Sequence, residues 1–238
     1  AVRRFVSTRI WHWINLIAIV VLFMSGLNIS NAHPYLYWGD WGFSPTQAWL
    51  AVPRFPGWMT IPDYYSLAKA RDWHLLMAFP FAFGLLGMWI AMLWNGHFRR
   101  DIKTARREWR WSAIRADIAK HLRFDFTHGE GKYNFLQKIA YGAVFGVLLP
   151  GMVLTGLAIS PGMEPSLWWL VDIFGGRQSA RSLHFLCAWG LFGFFVVHVL
   201  LVLLSGPVGQ LRAMILGGDH QPTNPPFPRP AKPEGESA

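Results

Sequence analysis

Four stretches of the chain, Ile10–Ile29, Trp73–Trp94, Ile139–Ile159 and Leu183–Leu204, run without a charged residue. Each is about the 20 residues that a helix needs to cross the hydrocarbon core of a bilayer. The first is too long for the apolar core of a signal peptide, and no small-residue cleavage site follows it before Pro34, so it reads as a retained span. Pro80 and Pro150 fall inside the second and third runs, where packing neighbours can satisfy the carbonyls that proline leaves free. The pattern predicts an all-α, integral membrane four-helix bundle occupying residues 1–220. The segments between the spans are polar or broken. Residues 30–72 form a long loop in which Ser44-Pro45 reads as an N-cap followed by a first-turn proline. Within the basic segment 95–138, residues 99–124 carry Ile102, Trp109, Ala113 and Ala116 roughly on one stripe, as in a helix lying on a membrane surface. The proline-rich stretch 221–238 reads as a disordered tail.

Composition narrows the class further. Of 238 residues 53% are hydrophobic and only 15% charged, against about 25% charged in ordinary soluble domains. Both an extended disordered chain and a typical soluble domain are thereby excluded. The 14 tryptophans suit the two membrane–water interfaces. Net charge is +9, and the cations are unevenly placed. Seventeen of the Lys and Arg residues precede the first span, lie between the second and third, or follow the fourth. The other five are Arg54, Lys69, Arg71, Arg177 and Arg181. The positive-inside rule puts both termini and the basic segment in the cytoplasm and the 30–72 loop outside. The basic segment is then a contact for anionic lipid rather than for nucleic acid. A single cysteine, Cys187, excludes an internal disulfide or an iron–sulfur cluster held by this chain alone. It reads as a packing residue.

Four of nine histidines lie within the spans: His12, His74, His184 and His198. A lone intramembrane histidine is equally well explained by an interhelical hydrogen bond, yet ionisable groups at this depth are functional candidates. His184 and His198 are 14 residues apart, which on a helix is about 21 Å along the axis and some 40° around it. Span direction then sets depth. His74 and His184 fall near the outer surface, His12 and His198 near the inner one. Two matched bis-imidazole pairs are what two b-type haems require, and bis-histidine ligation suits electron transfer rather than oxygen binding. No Asp or Glu lies within any span, so a di-metal carboxylate site is excluded. Arg9, Arg71 and Arg181 each stand three residues before one of these histidines, on the same face and one turn nearer the surface. Arg71 and Arg181 are thus candidates for the propionates of the outer haem and Arg9 for the inner, although inner-side cations like Arg9 are expected in any case. His33, His97, His121, His128 and His220 read as solvated interface residues.

These residues resemble a known family. The run Arg9-Ile10-Trp11-His12-Trp13 ending in Ser25-Gly26 is similar to the first span of the di-haem cytochrome b subunits of formate dehydrogenases, nickel–iron hydrogenases and thiosulfate reductases. Lys132-Tyr133-Asn134 with Gln137, Lys138 and Tyr141, closed by Thr155-Gly156, resembles their third span, and His184, Ala188 and His198 their fourth. The thiosulfate-reductase-like branch is nearest. The resemblance implies a bacterial inner-membrane anchor with two haem b groups that passes electrons between a peripheral redox enzyme, often a molybdopterin protein, and quinone. It implies that quinone sits by the inner haem against Asn134, with Lys132, Gln137, Lys138 and Tyr141 as plausible neighbours; Asn15, one turn from His12, is placed to face either the quinone or the haem edge. Lysines that snorkel at the interface are an equally bland reading of Lys132 and Lys138.

The loop is longer and more aromatic than in compact members of that family. Tyr35, Tyr37, Trp38, Trp41, Trp49 and Trp58 give it the composition of a protein interface core, which favours a docked redox partner. Two alternatives stand beside this reading: a self-contained oxidoreductase exchanging electrons between a small outer species such as superoxide and quinone, and a haem-free membrane scaffold. A reduced-minus-oxidised visible spectrum separates the last from the other two.

Overall fold

The computed structural model describes residues 6–94, 110, 111, 115, 135–204 and 207–217. Most of the basic segment, with Asn134 and four of the polar-segment histidines (His97, His121, His128, His220), lies outside the described residues, as does the 221–238 tail. Among the described residues four helices are long and apolar enough to cross a membrane: Arg9–Ala32, Leu67–Trp94, Lys138–Ile159 and Arg177–Leu204. The protein is all-helical in its spans, consistent with a four-helix membrane bundle.

In chain order the elements are α1 (Val6–Ala32), a two-residue hairpin pair β1 (Tyr35–Leu36) and β2 (Leu50–Ala51), α2 (Leu67–Trp94), α3 (Phe135–Ala143), a π-helical turn (Val144–Leu148), α4 (Leu149–Ile159), the short α5 (Trp168–Ile173), α6 (Arg177–Leu204) and α7 (Pro207–Ile215). Helices α2 and α6 each begin six residues before the charge-free runs do. Their first turns carry Lys69, Arg71, Asp72, Arg177 and Arg181, since a helix continues into polar surroundings once its backbone is bonded. The third span is α3, the π turn and α4 in sequence. Pro150 has no N–H to give the Gly146 carbonyl, and the Leu149 N–H bonds Val144 five residues back. The widened turn absorbs the proline without breaking the helix. Pro80, by contrast, sits inside an uninterrupted α2.

The chain divides into two packing units. The larger, Ile17–Phe194, is built on Ala18, Phe81, Leu85, Val144 and Leu149, with Leu22, Met77, Trp89, Phe145 and Leu191 packed round them. A second cluster of Ala158, Leu170 and Ala180 joins α4, α5 and the start of α6. The most buried side chains of the spans are small or polar (Ser25, Asn28, Thr155, Ser182), while Phe83, Leu93 and Val147 face outward. Small residues inside and bulky apolar ones outside is the arrangement lipid favours.

The 30–72 loop is a fixed structure. Asn28 donates to the carbonyls of Pro62 (2.9 Å) and Tyr64 (2.8 Å). Asn31 exchanges two bonds with the Phe55 backbone, donating at 2.9 Å and accepting at 2.8 Å. Ser182 donates to the Tyr37 carbonyl at 2.7 Å and accepts from the Trp49 indole at 3.1 Å. Each buried carbonyl left without its donor would cost about 1–3 kcal/mol. Gly39 closes the loop onto α6: its carbonyl accepts from the backbone N–H groups of Gln178 and Ser179, at 3.0 and 3.2 Å. A loop residue thus caps the helix in place of a side chain. Gly39 and Gly176 have φ of 86° and 110°, and a side chain on Gly176 would overlap the Gly39 backbone. Ser44 accepts from the Thr46 N–H as expected, though it opens only a 3-10 turn, Pro45–Gln47.

The smaller unit joins, among the described residues, 6–16 to 195–204 and 207–217. Helix α7 ends on Gly217, at φ 68°, the left-handed conformation that closes many helices. The Trp13 indole donates to the Met214 carbonyl at 3.3 Å, and the Arg9 guanidinium lies against Gly217. A cation there complements the negative end of the helix dipole.

Candidate functional site

In the larger unit, α2 supplies His74 and α6 supplies His184, and their ring centroids stand 6.2 Å apart with planes at 60°. Each imidazole is oriented by a helix that does not carry it. The Ser25 hydroxyl on α1 donates to the Val21 carbonyl at 2.6 Å. Its oxygen, 3.0 Å from His74 Nδ1, is left to accept the imidazole N–H. The Thr155 hydroxyl on α4 donates to the Gly151 carbonyl at 2.5 Å and sits 3.0 Å from His184 Nδ1. The residue after each hydroxyl is glycine. A Cβ on Gly26 would lie 3.6 Å from His74 Cε1, and one on Gly156 would lie 3.3 Å from His184 Cε1. Hydroxyl and glycine together hold each ring with Nδ1 engaged, which leaves Nε2 for a metal.

In the smaller unit His12 and His198 face each other with centroids 6.5 Å apart and planes at 53°. Trp13 meets the His12 ring edge-on at 5.8 Å.

The residues fit a haem. A metal–imidazole bond is about 2 Å and a ring nitrogen lies about 1.1 Å from its centroid, so two imidazoles on one metal stand roughly 6 Å apart. Both pairs have that spacing. Among the described residues no group of three or more His, Cys, Asp or Glu gathers as a metal cage. A metal bound between two of these histidines would take its other ligands from a macrocycle such as haem.

The cations divide between the two units. Arg71 and Arg181 lie within electrostatic reach of each other and of His33. Arg181 donates to the Gln178 side chain at 3.0 Å. Among the described residues neither arginine has a carboxylate in ion-pair range. Their neighbours do: Arg177 is paired with Glu164, and Lys69 lies 3.7 Å from Asp72. Burial and the two arginines hold the His33 imidazole below its usual range. The surroundings are net positive and suited to an anion. Arg9 Nε is buried without a hydrogen-bond partner.

Of the quinone candidates, Asn134 and the Gln137 side chain lie outside the described residues, and Lys138 is half-buried. Asn15 donates to the Trp11 carbonyl at 2.9 Å. Tyr141 lines an apolar cleft of about 250 Å³ with Trp89, Met92, Leu93, Gly142, Phe145 and Gly146. Cys187 packs against Gly151, as a small core residue would. Ser25-Gly26 and Thr155-Gly156 were visible in the sequence as closing residues of two spans, and their spacing to the histidines gave no sign of contact. The part His33 plays had no signal beyond its place at the end of a span.

Thr155→Val is expected to leave the haem of this pair bound while raising its reduction potential. The acceptor on Nδ1–H makes the imidazole a stronger donor and favours ferric iron, and valine takes that acceptor away. Redox titration followed by absorbance checks this; an unchanged potential would separate Thr155 from the ligand.

Apolar helices that bring histidines face to face at this spacing fit a membrane cytochrome b. The chain belongs to the prokaryotic cytochrome b561 family, which matches residues 5–217. It is thus a haem-binding, electron-transporting protein of a prokaryotic membrane. It is 28% identical over 203 residues to a putative protein-methionine-sulfoxide reductase subunit of Azospira oryzae, covering 82% of this chain and 87% of the relative. It is 27% identical to a probable Ni/Fe-hydrogenase B-type cytochrome subunit of Azotobacter vinelandii (88% and 84% covered). A hydrogenase subunit of the same description from Cupriavidus necator is 25% identical (85% and 78%). No solved structure matches the chain.

Proposed function

We propose that this chain is the membrane-anchoring di-haem subunit of a quinone-linked oxidoreductase complex. It relays electrons between a redox enzyme on the outer face and the quinone pool. The observation that carries the reading is the facing of His74 with His184 and of His12 with His198, each across an iron-sized gap. Bound haem b supplies one-electron redox chemistry at each pair. The protein's part is to fix the imidazoles and to receive the propionates, on Arg71 and Arg181 at the first pair and on Arg9 at the second.

Cation placement supports an orientation with both termini cytoplasmic and the 30–72 loop outside. Residues 1–220 act as one membrane domain, and 221–238 as a cytoplasmic tail. The relatives are named as subunits of a methionine-sulfoxide reductase and of hydrogenases, which supports a partner enzyme here too. We favour a molybdopterin-dependent one, following the resemblance to the thiosulfate-reductase branch. A fixed, aromatic loop favours such a partner over a small substrate such as superoxide.

Quinone belongs at the end of the relay away from the partner, at Asn134, with Gln137, Lys138, Tyr141 and Asn15 as neighbours. The apolar cleft beside Tyr141 supports a lipid-soluble substrate on this helix. Asn134→Leu keeps the bulk but removes a hydrogen bond to a quinone carbonyl. Quinone turnover should then slow at least about tenfold, the equivalent of about 1.4 kcal/mol, while both haems still reduce from the partner. Turnover at the wild-type rate, or a bound quinone beside His74 and His184, would overturn the assignment.

A further inference from the structure

His33 is the one histidine outside the spans that the described structure draws into a charged cluster. It follows the last residue of α1, and its backbone N–H bonds the Ser30 carbonyl at 3.0 Å, continuing the helical turn. Its ring is half-buried rather than solvated. Ser25 of α1 lies 3.0 Å from His74 of α2, and His74 faces His184 of α6. Each contact is seven residues from the same end of its helix, so these three ends are neighbours: His33 follows α1, Arg71 is in the second turn of α2 and Arg181 in the second turn of α6. Among the described residues Glu164 is paired with Arg177 and Asp72 with Lys69, and no carboxylate pairs with Arg71 or Arg181. Arg71 and Arg181 are each one turn from a candidate iron ligand. The cluster therefore lies where the carboxylate edge of a macrocycle held by His74 and His184 would emerge.

We propose that His33 completes, with Arg71 and Arg181, the carboxylate cradle of the haem at the His74–His184 pair, and that it takes up a proton when that haem takes up an electron. The inference rests on the functional reading above. In balance, one electron from the partner reduces ferric to ferrous iron, and one proton from the outer aqueous phase binds the neutral His33 imidazole. The charge facing His33 comes from Arg71 on α2 and Arg181 on α6, both permanently cationic. With those charges constant, His33 is the group free to respond.

The sign follows from the field. In the protein alone the two arginines and burial favour the neutral ring. Carboxylates and an added electron both oppose that field and raise the proton affinity. Reduced haem thus goes with charged His33. The potential is highest at acid pH, falls as pH rises through the window between the two proton affinities, and levels off above it.

The test is a redox titration of the full-length, haem-loaded protein between pH 5 and 9, with absorbance as the readout. The haem in question is identified by its loss from a His184→Ala variant. The wild type should show a pH-dependent potential for this haem. His33→Gln should abolish that dependence and hold the potential near its alkaline limit. His33→Arg, a fixed charge, should also abolish it but hold the potential near the acid limit. Arg181→Gln should keep the slope and move it to higher pH. A slope that survives both His33 variants, or identical potentials in them, overturns the proposal. Purified protein without haem would instead overturn the functional reading on which it stands.

Discussion

Replacing His184 with alanine is expected to remove one haem and leave the other, and replacing His198 is expected to do the reverse. Each side chain is half of a facing pair, at 6.2 Å from His74 and 6.5 Å from His12. Iron deprived of one axial imidazole keeps only a single protein bond. A pyridine-haemochrome assay should fall from about two haems per chain to about one in either variant. The surviving spectrum should differ between the two variants, because the rings at one pair accept support from Ser25 and Thr155 while His12 meets Trp13 edge-on. Loss of all haem from both variants would mean one shared site or a failure to fold. A wild-type ratio near one would do the same damage.

The second large effect is expected on the 30–72 loop. Trp41 and Phe43 are stacked and 76% and 81% exposed, and Trp58 is 78% exposed. Tyr37 takes no part in such a surface, since it is buried and its carbonyl is bonded by Ser182. Replacing Trp41, Phe43 and Trp58 together with serine leaves the anchoring bonds of Asn28, Asn31 and Ser182 in place. Aromatic residues at an interface centre are commonly worth about 2 kcal/mol each, so partner affinity should drop by more than about a hundredfold. The partner should cease to copurify while haem content stays at the wild-type level. Unchanged copurification would mean that these rings rest among lipid headgroups instead.

The spans were readable because lipid demands a continuous apolar run, and the histidine pairs because span direction sets depth. Helix starts were less readable: the charge-free runs begin at Trp73 and Leu183, yet the helices extend back through Lys69 and Arg177. Pro150 was placed inside the third run, but only the backbone bond from Leu149 to Val144 reveals a π turn there. The loop's anchors (Asn28, Asn31, Ser179, Ser182) are small polar residues at span ends, where polarity is expected anyway. Their partners are mostly backbone carbonyls and amides, which leave no mark in a sequence. The repeated Ser-Gly and Thr-Gly pairs were visible, but nothing in either pair shows that it reaches a histidine on another helix.

At the His74–His184 pair the ligand comes from one helix and its orientation from another: α2 with α1, and α6 with α4. Neither ring can turn without moving a hydroxyl that is itself bonded to its own helix backbone. An electron changes the preferred lengths and angles around a metal, and in a soft site the atoms must first rearrange to meet it. Here the hydroxyls that hold the rings are themselves bonded to the backbones of their own helices. Were these rings to carry a haem iron, the nuclear reorganisation at each transfer would be kept small, and a small reorganisation lets an electron cross quickly on a modest driving force.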